Sequence, residues 1–224
     1  MIDHIAFIMD GNRRFAKKND KEVAWGHKQG GLALKRVLLW CKKRNIKDVT
    51  VYAFSKENFK RSEEEKNNLM KLFLEMFDFQ KKENDYLKEI NNSFNINIIG
   101  DISQFPKIVK EKLKLIEKKE KNNEFNLNLC LGYDGRSEIV YSVNQIIKKG
   151  LEINEKNILE NLWLNKEPDL IIRTAENRLS GFLLYQSSYS EIIFLENLLW
   201  PEIDEIVLEK CYNNFETRNR KFGK

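Results

Sequence analysis

His4-Ile-Ala-Phe-Ile-Met-Asp-Gly-Asn-Arg-Arg-Phe15 is the stretch from which the rest of the chain can be read. Ile5 to Met9 form a short continuous apolar run, the pattern of a strand buried on both faces of a sheet. The run stops at Asp10-Gly11-Asn12-Arg13-Arg14, residue types that tolerate the backbone of a tight strand-to-helix turn. Such a turn collects free backbone N–H groups, a helix dipole end and two guanidiniums at one strand's carboxyl edge, where open α/β sheets bind anions. Asp10 is the odd member, because a carboxylate beside a phosphate repels it unless a divalent cation lies between them. A magnesium–phosphate site is one reading of these residues. An Asx-capped turn with a solvated arginine pair is the other, and this stretch alone does not separate them.

The remaining chain extends the same pattern. Val49 to Phe54, Phe94 to Ile99, Phe125 to Leu131, Asp169 to Ile172 and Ile192 to Leu195 read as five further strands, rich in β-branched and aromatic residues or alternating cleanly. Amphipathic helices are expected between them: a short piece over Phe15 to Lys18, a helix led by Gly26-His27-Lys28-Gln29-Gly30-Gly31, one opened by Ser62, then Pro106 to Lys121, Ser137 to Lys149, Glu155 to Leu164 and Asp204 to Arg218. The helix after Ser62 carries Leu69, Met70, Leu72, Phe73, Leu74, Met76, Phe77 and Phe79, more apolar surface than one packing stripe needs. It is read either as buried on two sides or as the wall of an apolar channel. The expected architecture is one α/β domain over residues 1–224, with a mostly parallel six-stranded sheet flanked by helices.

Composition narrows the function. The 224 residues are 42% hydrophobic and 33% charged, ordinary for a soluble globular domain. Lys+Arg 39 against Asp+Glu 34 leaves +5, enough to suit an anionic substrate or membrane surface and too little to argue for nucleic acid. Cys41, Cys130 and Cys211 are far apart with no CxxC, which fits a reducing cytoplasm and excludes a disulfide frame or zinc site. No signal-like or membrane-spanning run is read.

The polar residues gather at strand ends: Asp10, Asn12 and Arg14 after the first strand, Ser55, Asn58 and Arg61 after the second, Arg173, Arg178 and Ser180 after the fifth, with His27 nearby. Four arginines and one histidine around one aspartate suit one or two diphosphates bridged by magnesium. A Walker loop is absent. Ile8 stands where a phosphoaspartyl phosphatase would carry its second aspartate, so that chemistry is excluded too.

In family order the chain also carries His4 to Lys17, Gly26-His27-Lys28-x-Gly30, Tyr52-Ala-Phe-Ser-x-Glu-Asn-Phe59, Ile99-Gly-Asp101, Gly132-Tyr-x-Gly-Arg136, Asp169-Leu-Ile-Ile-Arg-Thr174, Ser180-x-Phe-Leu-Leu-x-Gln186 and Trp200-Pro201. Together these resemble the cis-prenyltransferases of the bacterial undecaprenyl diphosphate synthase kind, over nearly the whole chain. The resemblance implies an Mg2+-dependent enzyme condensing farnesyl diphosphate with successive isopentenyl diphosphates. The product would be a long-chain polyprenyl diphosphate, an undecaprenyl carrier for cell-wall glycan synthesis. It implies catalytic roles for Asp10 and Asn58, with Asn58 better suited to orienting than to taking a proton, since a neutral amide is a very poor base. Gly11, Asn12, Arg13, Arg14, Phe15 and His27 would cradle the allylic diphosphate. Ser55, Lys56, Glu57, Phe59 and Arg61 would lie by the reaction centre, and Arg173, Arg178, Leu179 and Ser180 would grip isopentenyl diphosphate. Asp10 and Glu191 would be the magnesium-associated carboxylates. The helix after Ser62 becomes a tunnel wall for the growing chain.

Several positions depart from the family pattern. Phe15 and Phe59 replace tryptophan, Arg13 replaces a glycine common in bacterial members, and Val23 stands where a diphosphate-binding arginine is usual. The loop from Arg173 to Arg178 is one residue short, and Lys221 replaces an arginine. The family also implies a cytoplasmic homodimer whose basic tail, Arg218 to Gly223, reaches a partner, and it allows a peripheral membrane contact for product release. Some relatives are non-catalytic partner subunits that have lost the aspartate site; Asp10 and the arginines are kept here, which favours an enzyme.

Overall fold

The computed structural model describes residues 1–76, 93–117 and 123–218, without the side chains of residues 72, 73, 75 and 76. Phe77, Phe79 and the tail beyond Arg218 therefore lie outside the described residues. Strands β1 (His4–Ile8), β2 (Asp48–Ser55), β3 (Phe94–Ile99), β4 (Phe125–Tyr133), β5 (Leu170–Thr174) and β6 (Glu191–Leu195) form one sheet in the order β3-β4-β2-β1-β5-β6. Every pairing is parallel, so all six carboxyl ends lie on the same edge. The central strand β1 has β2 on one side and β5 on the other. Connections run one way to β2 and the other way to β5, which opens a crevice above the end of β1.

Seven helices accompany the sheet among the described residues: α1 (Asn12–Lys18), α2 (Val23–Lys43), α3 (Glu63–Met76), α4 (Lys107–Glu117), α5 (Gly135–Lys149), α6 (Glu155–Asn161) and α7 (Glu205–Thr217), with short 3-10 turns at Lys56–Lys60 and Trp200–Glu202. Alternation along the strands divides the core in two. Ile5, Phe7, Val49, Val51, Leu127 and Leu129 point to a large apolar cluster completed by Val37 and Leu38 of α2, Leu69 of α3 and Trp200. Ala6, Ile8, Cys130, Tyr133 and Ile171 face the other way, into a smaller cluster with Phe182 and Leu183. On that second face a polar chain crosses the sheet. His4 Nε2 and Thr50 Oγ1 are 2.7 Å apart, and Asn128 donates to Thr50 Oγ1 at 3.1 Å and accepts from Asn97 at 2.9 Å. The Asn-Leu-Asn-Leu alternation of β4 therefore separates a greasy face from a hydrogen-bonded one.

One helix starts earlier than its sequence suggests. The glycines at 26, 30 and 31 look like a lead-in, yet α2 is already helical from Val23, so His27 sits in its second turn and not at its start. Close packing outweighs glycine's poor helix propensity here. A Cβ at residue 26 would stand 2.3 Å from the backbone oxygen of Asn12 of α1, so only glycine lets the two helices meet there. Phe15 of α1 also stacks on Trp25 of α2, with ring centroids 5.4 Å apart.

Candidate active site

At the crevice above β1 the strand ends deliver their polar groups into one cavity of about 730 Å³. Its polar mouth is formed by Asp10, Gly11, Asn12, Arg13, Arg14, His27, Ser55, Glu57, Asn58, Arg61, Arg173, Arg178 and Ser180. The same cavity continues along Leu34, Leu38, Leu69, Ile96, Leu127 and Leu129, between the apolar face of the sheet and helices α2 and α3.

The turn after β1 builds the centre. Gly11 takes φ +110°, a conformation costly for any residue with a Cβ, and it passes 3.0 Å from Leu199 at the position a Cβ would fill. Thr174, fully buried at the end of β5, accepts from Asp10 N at 3.2 Å and donates to Asp10 O at 2.7 Å, while Trp200 N also donates to that carbonyl at 2.9 Å. The backbone of Asp10 is thus held from two sides. Its carboxylate lies 3.0 Å from Arg173 and 3.3 Å from Arg14.

On the β5 side, Arg173 is 3% exposed and uses one nitrogen on the carbonyl of Arg178 and on Ser180 Oγ, the latter at 2.7 Å. Arg14 donates to Ala175 O at 2.9 Å, and Glu176 stands 2.8 Å from Arg178 and 3.4 Å from Arg14. On the β2 side, Glu65 of α3 receives Arg61 at 2.8 Å and Arg13 at 3.5 Å. Behind them His27 is held neutral: burial first, then the charge of Arg61, push its pKa from 6.5 to about 4, Glu65 opposing and Arg13 assisting. Its Nε2 and the Oδ1 of Asn12 are buried without a protein hydrogen-bond partner. Asn58 is the third residue of the 3-10 turn, and its Oδ1 accepts from Ser55 N at 2.9 Å. Its acceptor oxygen is occupied and its amide N–H groups are the part left over.

Five of the residues singled out from the sequence do not line this cavity. Phe15 holds α1 on α2. Lys56 turns away to Ser137 at 2.9 Å, and Phe59 packs against Phe54 and Phe105, at 4.8 and 5.2 Å between centroids. Leu179 packs on the smaller apolar cluster. Glu191 opens β6 opposite Leu170, whereas Arg173 pairs with Phe194 three residues further along. It therefore lies toward the amino edge of the sheet, ion-paired with Arg218, and the chain does not bring it to Asp10. In the other direction, Glu65 and Glu176 were not anticipated. One sits among three consecutive glutamates at a helix start and reads as a dipole partner, although its i,i+4 spacing from Arg61 is a signal that could have marked the pair; the other lies in a short loop two residues before Arg178.

Among the described residues no three His, Cys, Asp or Glu side chains cluster to hold a metal ion. The donor set nonetheless fits magnesium, which takes few protein ligands and completes its shell with water and phosphate oxygens: Asp10 offers one hard carboxylate in a cavity lined by phosphate-binding groups.

A family model described as "Putative undecaprenyl diphosphate synthase" matches residues 8–223. Over 232 residues, 99% of this chain and 87% of the relative, the sequence is 39% identical to a ditrans,polycis-undecaprenyl-diphosphate synthase, (2E,6E)-farnesyl-diphosphate specific, of Wigglesworthia glossinidia brevipalpis. It is 40% identical over 235 residues, 99% of this chain and 86% of the relative, to a tritrans,polycis-undecaprenyl-diphosphate synthase, geranylgeranyl-diphosphate specific, of Pyrococcus horikoshii. The fold superposes with a TM-score of 0.89 and 28% identity on lavandulyl diphosphate synthase from Lavandula x intermedia in complex with dimethylallyl diphosphate, covering 100% of this chain and 98% of that one.

Proposed function

The chain belongs to the undecaprenyl diphosphate synthase family of prenyltransferases, and from that premise we propose that it extends farnesyl diphosphate with successive isopentenyl diphosphates to a long-chain, undecaprenyl-type product. One observation carries the reading: a single cavity joins a guanidinium-lined mouth holding Asp10 to a wall of leucine and isoleucine. Diphosphates are recognised by the first part and a growing hydrocarbon by the second.

In the proposed reaction the allylic C–O bond breaks and pyrophosphate leaves. The isopentenyl double bond supplies the electrons of the new C–C bond, and the proton lost from the incoming unit goes to pyrophosphate. Arg13, Arg14, Asn12 and His27 bind the group that leaves; Arg173, Arg178 and Ser180 hold the diphosphate that stays. Asn58 orients through its amide N–H, because its oxygen is engaged by Ser55. Leu69 and its neighbours exclude water from the allylic cation. Asp10 would hold Mg2+, which when bound neutralises charge on the departing diphosphate.

The farnesyl preference, the undecaprenyl length, the magnesium requirement, a homodimer and a cytoplasmic, peripherally membrane-associated location are parts of the proposal. They are supported by the family, by three buried free cysteines and by the absence, among the described residues, of a helix long and apolar enough to cross a membrane. Incubation with isopentenyl diphosphate, MgCl2 and either farnesyl or geranylgeranyl diphosphate, read by mass spectrometry, tests it. Products lengthening by five-carbon units from farnesyl diphosphate are expected; no elongation from either primer would defeat the proposal. Light scattering checks the dimer.

A further inference from the structure

Each arginine of the cradle is paired with a carboxylate of the chain, and two of those carboxylates, Glu65 and Glu176, have no part in the proposed chemistry. Glu176 is placed with care. The preceding Ala175 sits at φ +68°, a left-handed conformation that a residue with a Cβ adopts only when held there. Two bonds hold it: Arg14 donates to Ala175 O and Ala175 N donates to Leu195 O, both at 2.9 Å. The turn sends Glu176 back into the cavity, where its two oxygens face different guanidiniums, Arg178 at 2.8 Å and Arg14 at 3.4 Å. Those arginines come from the ends of two different strands, and the proposed function gives them to two different substrates.

We propose that Glu176 is an internal competitor for diphosphate: it occupies Arg14 and Arg178 in the free protein and weakens anion binding there, so that pyrophosphate leaves between cycles. This deepens the proposed function and rests on its assignment of the cradle to diphosphates. The opposite role would be to aim the two guanidiniums and so strengthen binding. Magnitudes favour competition. Arg178 is 64% exposed and Arg14 48%, and ion pairs so open to water organise side chains weakly. A carboxylate within contact distance of a multiply charged diphosphate, in a partly desolvated cleft, is repelled more strongly than that.

Calorimetric titration of the full chain with inorganic pyrophosphate in MgCl2, for wild type, Glu176→Gln and Glu176→Ala, decides between the two. Both variants should bind about tenfold tighter than wild type, equivalent to about 1.4 kcal/mol, and the inhibition constant for pyrophosphate should fall by the same factor. A loop damaged by the substitution would weaken binding, so tightening is not a folding artefact; thermal melts of the variants confirm that they are folded. Unchanged or weaker binding in both variants overturns the inference and leaves the family reading intact. A wild type that binds no pyrophosphate overturns the assignment of the cradle itself, and this inference with it.

Discussion

The two sides of the cradle carry similar charges on different supports. Toward β5, Arg173 is buried and its two terminal nitrogens are tied to a backbone carbonyl, a hydroxyl and Asp10, so the guanidinium has one place to be. Toward β2, Arg13 and Arg61 meet on one carboxylate of α3, with a neutral histidine behind them. That side adjoins the apolar wall, since Leu69 lies on the same helix as Glu65. The β5 side is suited to a headgroup held still through the reaction. The β2 side is suited to one that must leave while its hydrocarbon advances. Asp10 stands between them, in the turn just beyond the strand that neighbours both.

The strongest way to break this comparison is to remove its centre. Asp10→Ala should lower turnover by at least about 10²-fold, because loss of charge stabilisation at a departing diphosphate costs several kcal/mol. Folding should change little, as the backbone bonds to Thr174 and Trp200 remain. Normal turnover in the variant, or wild-type activity surviving a chelator, would remove the metal role. Next in size are the arginines. Arg173→Ala and Arg178→Ala should raise the KM for isopentenyl diphosphate by roughly 10- to 100-fold, as for loss of a charge-assisted hydrogen bond, with farnesyl diphosphate binding nearly unchanged. Arg14→Ala should weaken the allylic substrate instead. Arg14 is the sharpest test, because its contacts to Ala175 and Glu176 tie it to the β5 side. If it affects both substrates alike, the two pockets are one.

Most of this arrangement could be read from residue types in order, because strands that end in charge announce a shared edge when the sheet is parallel. Val49 to Phe54 needed only its β-branched and aromatic run, and Phe94 to Ile99 only its alternation. Three features were not legible. The start of α2 at Val23 depends on glycines that serve the fit against Asn12 rather than a turn. The separation of Glu191 from Asp10 depends on register: once β6 aligns Phe194 with Arg173, a residue at the strand's beginning cannot reach the strand's end. The second arginine that each of Glu65 and Glu176 meets, Arg13 and Arg14, is a long-range choice, and a glutamate at a helix start looks the same whether it faces water or a cradle.

A smaller effect isolates the β2 side through pH. The unfolded chain protonates His27 near 6.5, while the folded protein resists until about 4. Between those values the unfolded state binds more protons, so stability falls as pH falls across the window. At pH 5 the contribution is on the order of 2 kcal/mol, or about 4–8 °C in Tm for a chain of this size. His27→Gln should remove that part of the difference between melts at about pH 7 and pH 5. His4 is also held low by burial and Glu138 is pushed up by burial, so the comparison between the two proteins, not the wild-type slope alone, carries the test. Equal slopes would mean that His27 is not kept neutral by its surroundings.

The smallest expected effect concerns Val23, and it asks whether the β2 side lacks a cation or has moved one. Val23 is 41% exposed at the first position of α2, four residues before His27 and so on the same face of the helix. It does not line the cavity, and its side chain offers nothing to an anion. Arg13, which does line it, supplies a guanidinium from α1 instead. Val23→Arg would place a long, charged side chain on the face that already carries His27 toward the cradle. A cation at a helix N-terminus opposes the helix dipole, which costs about 0.3–1 kcal/mol of stability. Against that, one added contact to a diphosphate in partly solvated surroundings should tighten farnesyl diphosphate about three- to tenfold. The gain should be larger when Arg13→Ala is made first, because the two cations would then no longer share one anion or repel each other. Binding titrations of the two single variants and the double variant measure this coupling directly. If Val23→Arg tightens binding equally with and without Arg13, the positions act independently and the β2 side is simply short of a charge. If it tightens binding only when Arg13 is absent, the guanidinium of α1 has taken over the task, and the two sides of the cradle are matched in charge after all.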